Sequence, residues 1–100
     1  MASRVGGVIL GGMAGNAIAG DIDCDDRPYA FKVYDQGFTG QIGERYEWRH
    51  CNAYGYFTPT REYDDGGYVC RDFEEGVWRN GAWRVHTGSA CQYDDGWHFR

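Results

Sequence analysis

Five stretches of the chain alternate aromatic or β-branched residues with polar ones, which is the pattern of half-buried β-strands. Turn-forming pairs are found at Asp65-Gly66, Asn80-Gly81 and Asp95-Gly96. Pro59 is expected at an edge or a bulge, because proline has no backbone N–H to donate to a ladder. The pattern predicts an antiparallel meander of strands that cover residues 45–50, 53–63, 67–78, 82–93 and 97–100.

A short helix is predicted before the meander, in the stretch DDRPYAFKVYDQG at residues 25–37. Asp25 or Asp26 can cap its N-terminus, Pro28 suits its first turn, and Gly37 can end it. A strand over residues 29–34, YAFKVY, is the alternative interpretation of the same stretch.

The segment GGVILGGMAGNAIAG, residues 6–20, repeats small residues every four positions. This spacing predicts a glycine-zipper helix whose flat face lets a second backbone approach closely. Two other interpretations are a signal peptide and a flexible leader. A single membrane span is disfavoured, because sixteen helical residues reach only about 24 Å. The positions expected to carry self-association are Gly7, Gly11, Gly12, Gly15, Ala19 and Gly20.

The amino-acid composition fits one small β-rich domain on the C-terminal side of this segment. The chain has 100 residues, with 16 glycines, 8 tyrosines, 4 tryptophans and a formal net charge of −5. The absence of a basic run argues against nucleic-acid binding. The acidic run DIDCDD marks the boundary between a segment at residues 1–22 and a domain at residues 23–100. The predicted fold class is therefore α+β, mainly β: a zipper helix, one short helix and the meander.

Four widely spaced cysteines predict two disulfides and an oxidising compartment. If Asn80-Gly81 forms a two-residue hairpin loop, partners on the flanking strands have numbers that sum to 161. Cys70 then faces Cys91 and Trp78 faces Trp83, both at non-hydrogen-bonded positions where side chains come closest. Cys24 and Cys51 remain for each other.

Several of these stretches together resemble the rickettsial-type outer-membrane surface antigen family. They are the opening glycine-rich segment, YEWRH, YGYFTPTREY, GGYVCRDF and TGSACQYDDGWHF. The resemblance covers nearly the whole chain and implies an exported envelope protein of a Gram-negative bacterium without catalytic residues. The chain departs from the family in having one hydrophobic arm where the family has two. It also has no lipoprotein box before a cysteine.

Catalytic and metal-binding chemistry finds little support in the sequence. Asp21, Asp23 and Asp25 alternate like the first ligands of a calcium loop, but the positions for its glycine and distal glutamate are occupied by other residues. Glu75 and His86 face each other in the 161 register. They could serve as an acid/base dyad, but a cross-strand ion pair on a sheet surface is the simpler interpretation. We expect no enzyme activity, no metal and no organic cofactor.

Two functions follow from the sequence as expectations. The first is a non-enzymatic structural protein of the periplasm, outer membrane or cell surface that self-associates through its zipper into a filament or ring. The second is an envelope binding module that uses aromatic side chains to bind a cell-wall glycan or a protein. Its candidate residues are Trp48, Tyr54, Tyr56, Trp78, Trp83 and Trp97, although most of them are expected in the core.

Overall fold

The computed structural model describes the backbone of residues 3–5, 8–10, 22 and 26–100, and the side chains of residues 22 and 26–100. The described part contains one α-helix and seven β-strands. The helix, α1, is Arg27–Thr39. The strands are β1 Ser3–Val5, β2 Val8–Leu10, β3 Tyr46–His50, β4 Ala53–Asp65, β5 Tyr68–Arg79, β6 Ala82–Tyr93 and β7 Gly96–Phe99.

The predicted meander is confirmed. Strands β3 to β7 are antiparallel neighbours in one sheet that curls like half a barrel. The observed strand bounds agree with the predicted ones to within two residues. The face that α1 packs against is called the inner face below, and the opposite face the outer face.

The predicted N-terminal helix is wrong for the residues of that segment that the structure describes. Ser3–Val5 and Val8–Leu10 are strands; they pair with each other, and β2 joins β7 in parallel. Valine and isoleucine suit strands better than helices because their branched side chains restrict rotamers in a helix. The zipper positions lie outside the described residues, since one is Gly7 and the others fall within residues 11–21. Within the described residues, no helix is long and apolar enough to cross a membrane.

Helix α1 is confirmed, with a proline in its first turn. Asp26 occupies the N-cap position as predicted, but its side chain makes no capping hydrogen bond. The prediction that Gly37 ends the helix is wrong, since α1 continues to Thr39. Gly37 is instead a point of close approach, where an added Cβ would lie 2.2 Å from Cδ1 of Phe57. The missing side chain lets the helix lie directly on the Phe57 ring.

The end of α1 is held by Arg71 of β5, which sequence patterns did not single out. Its Nη1 donates hydrogen bonds to the carbonyl oxygens of Gly37 at 3.0 Å and Gly40 at 2.7 Å. Its Nε donates to Oε1 of Glu62 at 2.9 Å. The last carbonyls of a helix have no partner within the helix and carry partial negative charge, so a buried guanidinium there stabilises the helix end.

The turns follow the predicted chemistry with small shifts. Asn80 and Gly81 both have positive φ, 54° and 79°, as a type I′ turn requires. The β4–β5 loop is formed by Gly66 and Gly67 rather than by Asp65-Gly66, and residues 94–95 join β6 to β7. Two adjacent glycines with positive φ suit a tight turn, because neither has a Cβ to clash.

Pro59 marks a bulge, as predicted: the β4–β5 register shifts between Pro59 and Arg61. The extra residue changes which side chains of β4 face the helix. Without the bulge, Arg61 would be the cross-strand partner of Arg71. With the bulge, Glu62 is the partner and reaches the Arg71 guanidinium.

The 161 register is confirmed along β5 and β6. Cys70 is the partner of Cys91 and Trp78 the partner of Trp83. Cys70 and Cys91 form a disulfide, and both residues are buried.

The core lies between α1 and the inner face, and it is mostly aromatic. Phe38 stacks on Trp97 with ring centroids 4.6 Å apart, and Phe57 stacks on Phe73 at 4.9 Å. A chain with few aliphatic residues thus fills its core with rings, each of which buries a large apolar area.

Candidate functional site

Four of the six candidate aromatic residues come together on the outer face. They are Tyr54, Tyr56, Trp78 and Trp83, called the aromatic cluster below. The cross-strand register places Tyr54 beside Trp78 and Trp78 beside Trp83. The centroid distances are 5.9 Å for Tyr54–Trp78, 5.4 Å for Tyr54–Trp83, 5.8 Å for Tyr56–Trp83 and 5.7 Å for Trp78–Trp83.

Solvent reaches this cluster mainly at β6. Trp83 is 45% exposed, and Val85, two residues further along the same face, is 49% exposed. Tyr54 and Trp78 are half-buried beneath them. Two large apolar side chains therefore lie in water next to a rigid aromatic base, where a partner could cover them.

Tyr56 lies deepest in the cluster, because Gly76 opposite it has no side chain. A Cβ on Gly76 would lie 2.4 Å from Cε1 of Tyr56. Burial raises the pKa of Tyr56 above its ordinary value of 10.0, and Glu74, which also hydrogen-bonds to Tyr56, raises the pKa further; Arg45 acts in the opposite direction. Ionising this phenol therefore costs more free energy than ionising an exposed tyrosine.

Charged side chains of both signs surround the cluster. The guanidinium of Arg45 lies 3.9 Å from the centroid of the Tyr56 ring, and that of Arg49 lies 5.4 Å from the centroid of Tyr54. Glu47 is the cross-strand partner of Tyr56 and is exposed. Cation–π contacts of this kind hold the arginine side chains over the tyrosine rings.

Trp48 and Trp97 are not part of a surface site, since the structure places both in the core. Trp48 is 6% exposed and crosses over Gly55, where an added Cβ would lie 2.6 Å from its Nε1. The alternation of strand residues puts Trp48 and Trp97 on the inner face, opposite to the aromatic cluster.

Glu75 and His86 are cross-strand partners, as the register predicted. The pair does not lie on a solvated surface, however, because Glu75 is fully buried in the core and accepts a 3.0 Å hydrogen bond from the Tyr34 hydroxyl. The sequence did not reveal this, since helix α1 covers the inner face only in the folded chain.

The remaining predicted sites are described only in part. Cys51 is an exposed free cysteine, and Cys24 lies outside the described residues, so their pairing stays a prediction. The weak calcium candidates Asp21, Asp23 and Asp25 also lie outside the described residues. Among the residues that the structure does describe, no group of three or more histidines, cysteines or acids is arranged to hold a metal ion.

Comparison with protein-family models, with characterised proteins and with solved structures finds no match to this chain.

Proposed function

We propose that this protein is a non-enzymatic, exported structural protein of the bacterial envelope that self-associates, and that the aromatic cluster forms part of the contact between copies. The observation that supports this most directly is the exposure of Trp83 and Val85 beside the half-buried rings of Tyr54 and Trp78. The Cys70–Cys91 disulfide favours an oxidising compartment.

The outer face has the residue composition that is typical of the centre of a protein–protein interface. Tryptophan, tyrosine and arginine are the residues most often found where binding energy is concentrated, and here they are in contact before any partner arrives. Because the rings and the stacked guanidinium groups already hold one another, little side-chain entropy remains to be lost on binding.

The charges favour a second copy of the chain as the partner. Arg45, Glu47 and Arg49 project from the same face with alternating sign. In a two-fold contact each patch meets itself in reversed orientation, so that the arginines of one copy can lie on Glu47 of the other. Covering Trp83 and Val85 at the centre would remove their apolar surface from water.

Sedimentation equilibrium of the full chain tests this proposal. We expect concentration-dependent association that Trp83→Ala or Val85→Lys weakens at least about tenfold, as is usual for the loss of a central interface residue. Tyr68→Ala is the matched control: Tyr68 is a similarly exposed aromatic that packs on Tyr93 at the other end of β5. A chain that stays monomeric, or associates equally well in all variants, contradicts the proposal.

The glycine-rich segment is a second, separate source of self-association, and its contribution stays a prediction. Replacing Gly11 and Gly15 by leucine should block a close backbone approach without altering the aromatic cluster. Light scattering on this double variant, beside Trp83→Ala, distinguishes the two contacts. If both variants leave the chain as a monomer, each contact is necessary for assembly.

Binding of a cell-wall glycan or another protein is the alternative role of the same cluster. An exposed indole ring can also stack on a sugar ring. Co-sedimentation with purified peptidoglycan separates the two roles: a monomer that sediments with peptidoglycan, and loses this ability in Trp83→Ala, is a binding module and not a self-assembling protein.

A further inference from the structure

A second site lies at the turn of the β3–β4 hairpin, on the opposite face of the sheet from the aromatic cluster. Cys51 and Asn52 form its two-residue loop, and Cys51 has a positive φ of 51°, an uncommon conformation for a residue with a side chain. The thiol is exposed, and its Sγ lies 3.7 Å from Nε2 of His50.

The position of His50 is fixed from two sides. Its Nδ1 lies 2.7 Å from Oδ1 of Asp26, and the Asp26 side chain is only 9% exposed. The ring of Tyr29 stacks on the imidazole with centroids 4.2 Å apart and planes inclined by 16°. An ionised carboxylate can only accept hydrogen bonds, so the contact with Asp26 favours a proton on Nδ1. In the neutral tautomer that carries this proton, the Nε2 lone pair faces Sγ of Cys51.

The Asp26 side chain contacts His50 instead of capping helix α1. It occupies the N-cap of α1, where an aspartate side chain normally accepts a hydrogen bond from the first turn, but here it makes no such bond. Its carboxylate points instead to a histidine 24 residues further along the chain. The helix start and the hairpin are thereby joined through the imidazole.

A pocket of about 400 Å³ opens beside the thiol. Its walls come from the start of α1, from the β3–β4 loop and from the end of β5, where Arg79 and Asn80 lie. Among the described residues, Asp26 and Arg79 are the charged side chains that line it together with His50. There is room for a small molecule to reach Sγ, and Arg79 adds a positive charge to the wall.

We propose that Cys51, which is a free thiol in this structure, is not held in a permanent disulfide with Cys24 but is a nucleophile that exchanges with disulfides, with His50 as the proton acceptor and Asp26 as the residue that orients His50. Nucleophile, base and orienting carboxylate are the three parts of an activated cysteine. The substrate class is a small or exposed disulfide that can enter the pocket beside Sγ.

The exchange step balances without a further reagent. Nε2 of His50 accepts the Sγ proton, and the thiolate attacks one sulfur of the substrate disulfide in line with its S–S bond. That bond breaks as the new bond to Cys51 forms. The released thiolate takes the proton from His50, so that one thiol and one disulfide give a mixed disulfide and one thiol.

The reaction of the folded full chain with dithiobis(nitrobenzoate), an anionic aromatic disulfide, tests the proposal. A Cys24→Ser background leaves Cys51 as the single cysteine outside the Cys70–Cys91 disulfide. In this background we expect His50→Gln to slow the reaction about tenfold or more near pH 7, where an ordinary thiol is mostly protonated. The two rates should converge in alkali, where hydroxide removes the proton in both chains.

Three further measurements distinguish loss of the proton acceptor from loss of structure. Asp26→Asn keeps a good N-cap residue but removes the carboxylate, so it should slow the reaction less than His50→Gln does. Added imidazole should restore part of the rate to His50→Gln, because a free base can then reach the exposed thiol. The matched control is His98→Gln, which removes a histidine–aspartate pair of the same 2.7 Å length, with Asp95, and should leave the rate unchanged.

Equal rates for the Cys24→Ser chain with and without His50→Gln across the whole pH range would overturn the proposal. In the chain that keeps Cys24, mass spectrometry of the product adds a second check. Peptide mapping before the reagent is added must show Cys51 as a free thiol, and a Cys24–Cys51 disulfide already present at that point contradicts the proposal. A new mixed disulfide at Cys51 supports exchange, and a Cys51 that the reagent leaves unmodified contradicts it.

Discussion

The Tyr34 hydroxyl donates a hydrogen bond of 3.0 Å to Oε2 of Glu75, 41 residues further along the chain, and both residues are fully buried. The bond links the middle of α1 to the middle of β5. A carboxylate removed from water must be hydrogen-bonded to avoid a large desolvation penalty. The contact thus offsets part of the cost of burying an acidic residue in an aromatic core.

We expect Tyr34→Phe to lower the free energy of unfolding by about 1–3 kcal/mol, because a buried acceptor loses a donor while the ring volume stays the same. Urea denaturation followed by circular dichroism measures the change. Tyr68→Phe, at an exposed ring, is the control and should change stability little. Equal stability of Tyr34→Phe and the wild-type chain would show that the bond adds nothing net to folding.

Gly76→Ala should destabilise the domain and disturb the aromatic cluster. The added methyl group would overlap the Tyr56 ring, and overpacking of this kind usually costs about 1–3 kcal/mol. The same substitution should cost less in a Tyr56→Ala background, where the clash is absent. Urea denaturation of the four chains in this cycle measures the coupling, and additive effects would contradict the close contact.

The raised pKa of Tyr56 makes stability depend on pH in alkali. Because the pKa in the folded chain lies above the ordinary value of 10.0, folding favours the neutral phenol. This contribution is complete below about pH 10 and is lost as the pH rises through the folded-state pKa. Urea denaturation from pH 8 to pH 11 should therefore show a smaller decrease in stability for Tyr56→Phe than for the wild-type chain. An equal decrease in both chains is the contrary result.

Removal of the Cys70–Cys91 disulfide should cost about 3 kcal/mol in the chain-entropy model, given the sequence separation of 21 residues. The double replacement Cys70→Ala with Cys91→Ala, unfolded in urea beside the wild-type chain, measures this cost. Peptide mapping without reduction checks the pairing itself and also decides whether Cys24 and Cys51 are linked. A Cys51–Cys70 peptide would contradict the hairpin register.

The meander was predictable because its information is local. Asn80-Gly81 defines a two-residue turn, and counting outwards from it gives both the Cys70–Cys91 disulfide and the Trp78–Trp83 pair. The start of α1 was predictable for the same reason, since an aspartate at the N-cap position and a proline in the first turn are local signals, although the Asp26 side chain does not cap the helix.

The sequence did not determine which ring faces the core and which faces water. Trp48 and Trp83 are equally apolar, yet the side of the sheet that α1 covers buries one and leaves the other exposed. Nor could it place Asp26 against His50, or Tyr34 against Glu75, because contacts across 24 and 41 residues depend on how the sheet curls around the helix. Local turn and strand chemistry determined the order and pairing of β3 to β7. Only the packing of α1 on the inner face brought Asp26 to His50 and Tyr34 to Glu75 and left the aromatic side chains of the opposite face exposed.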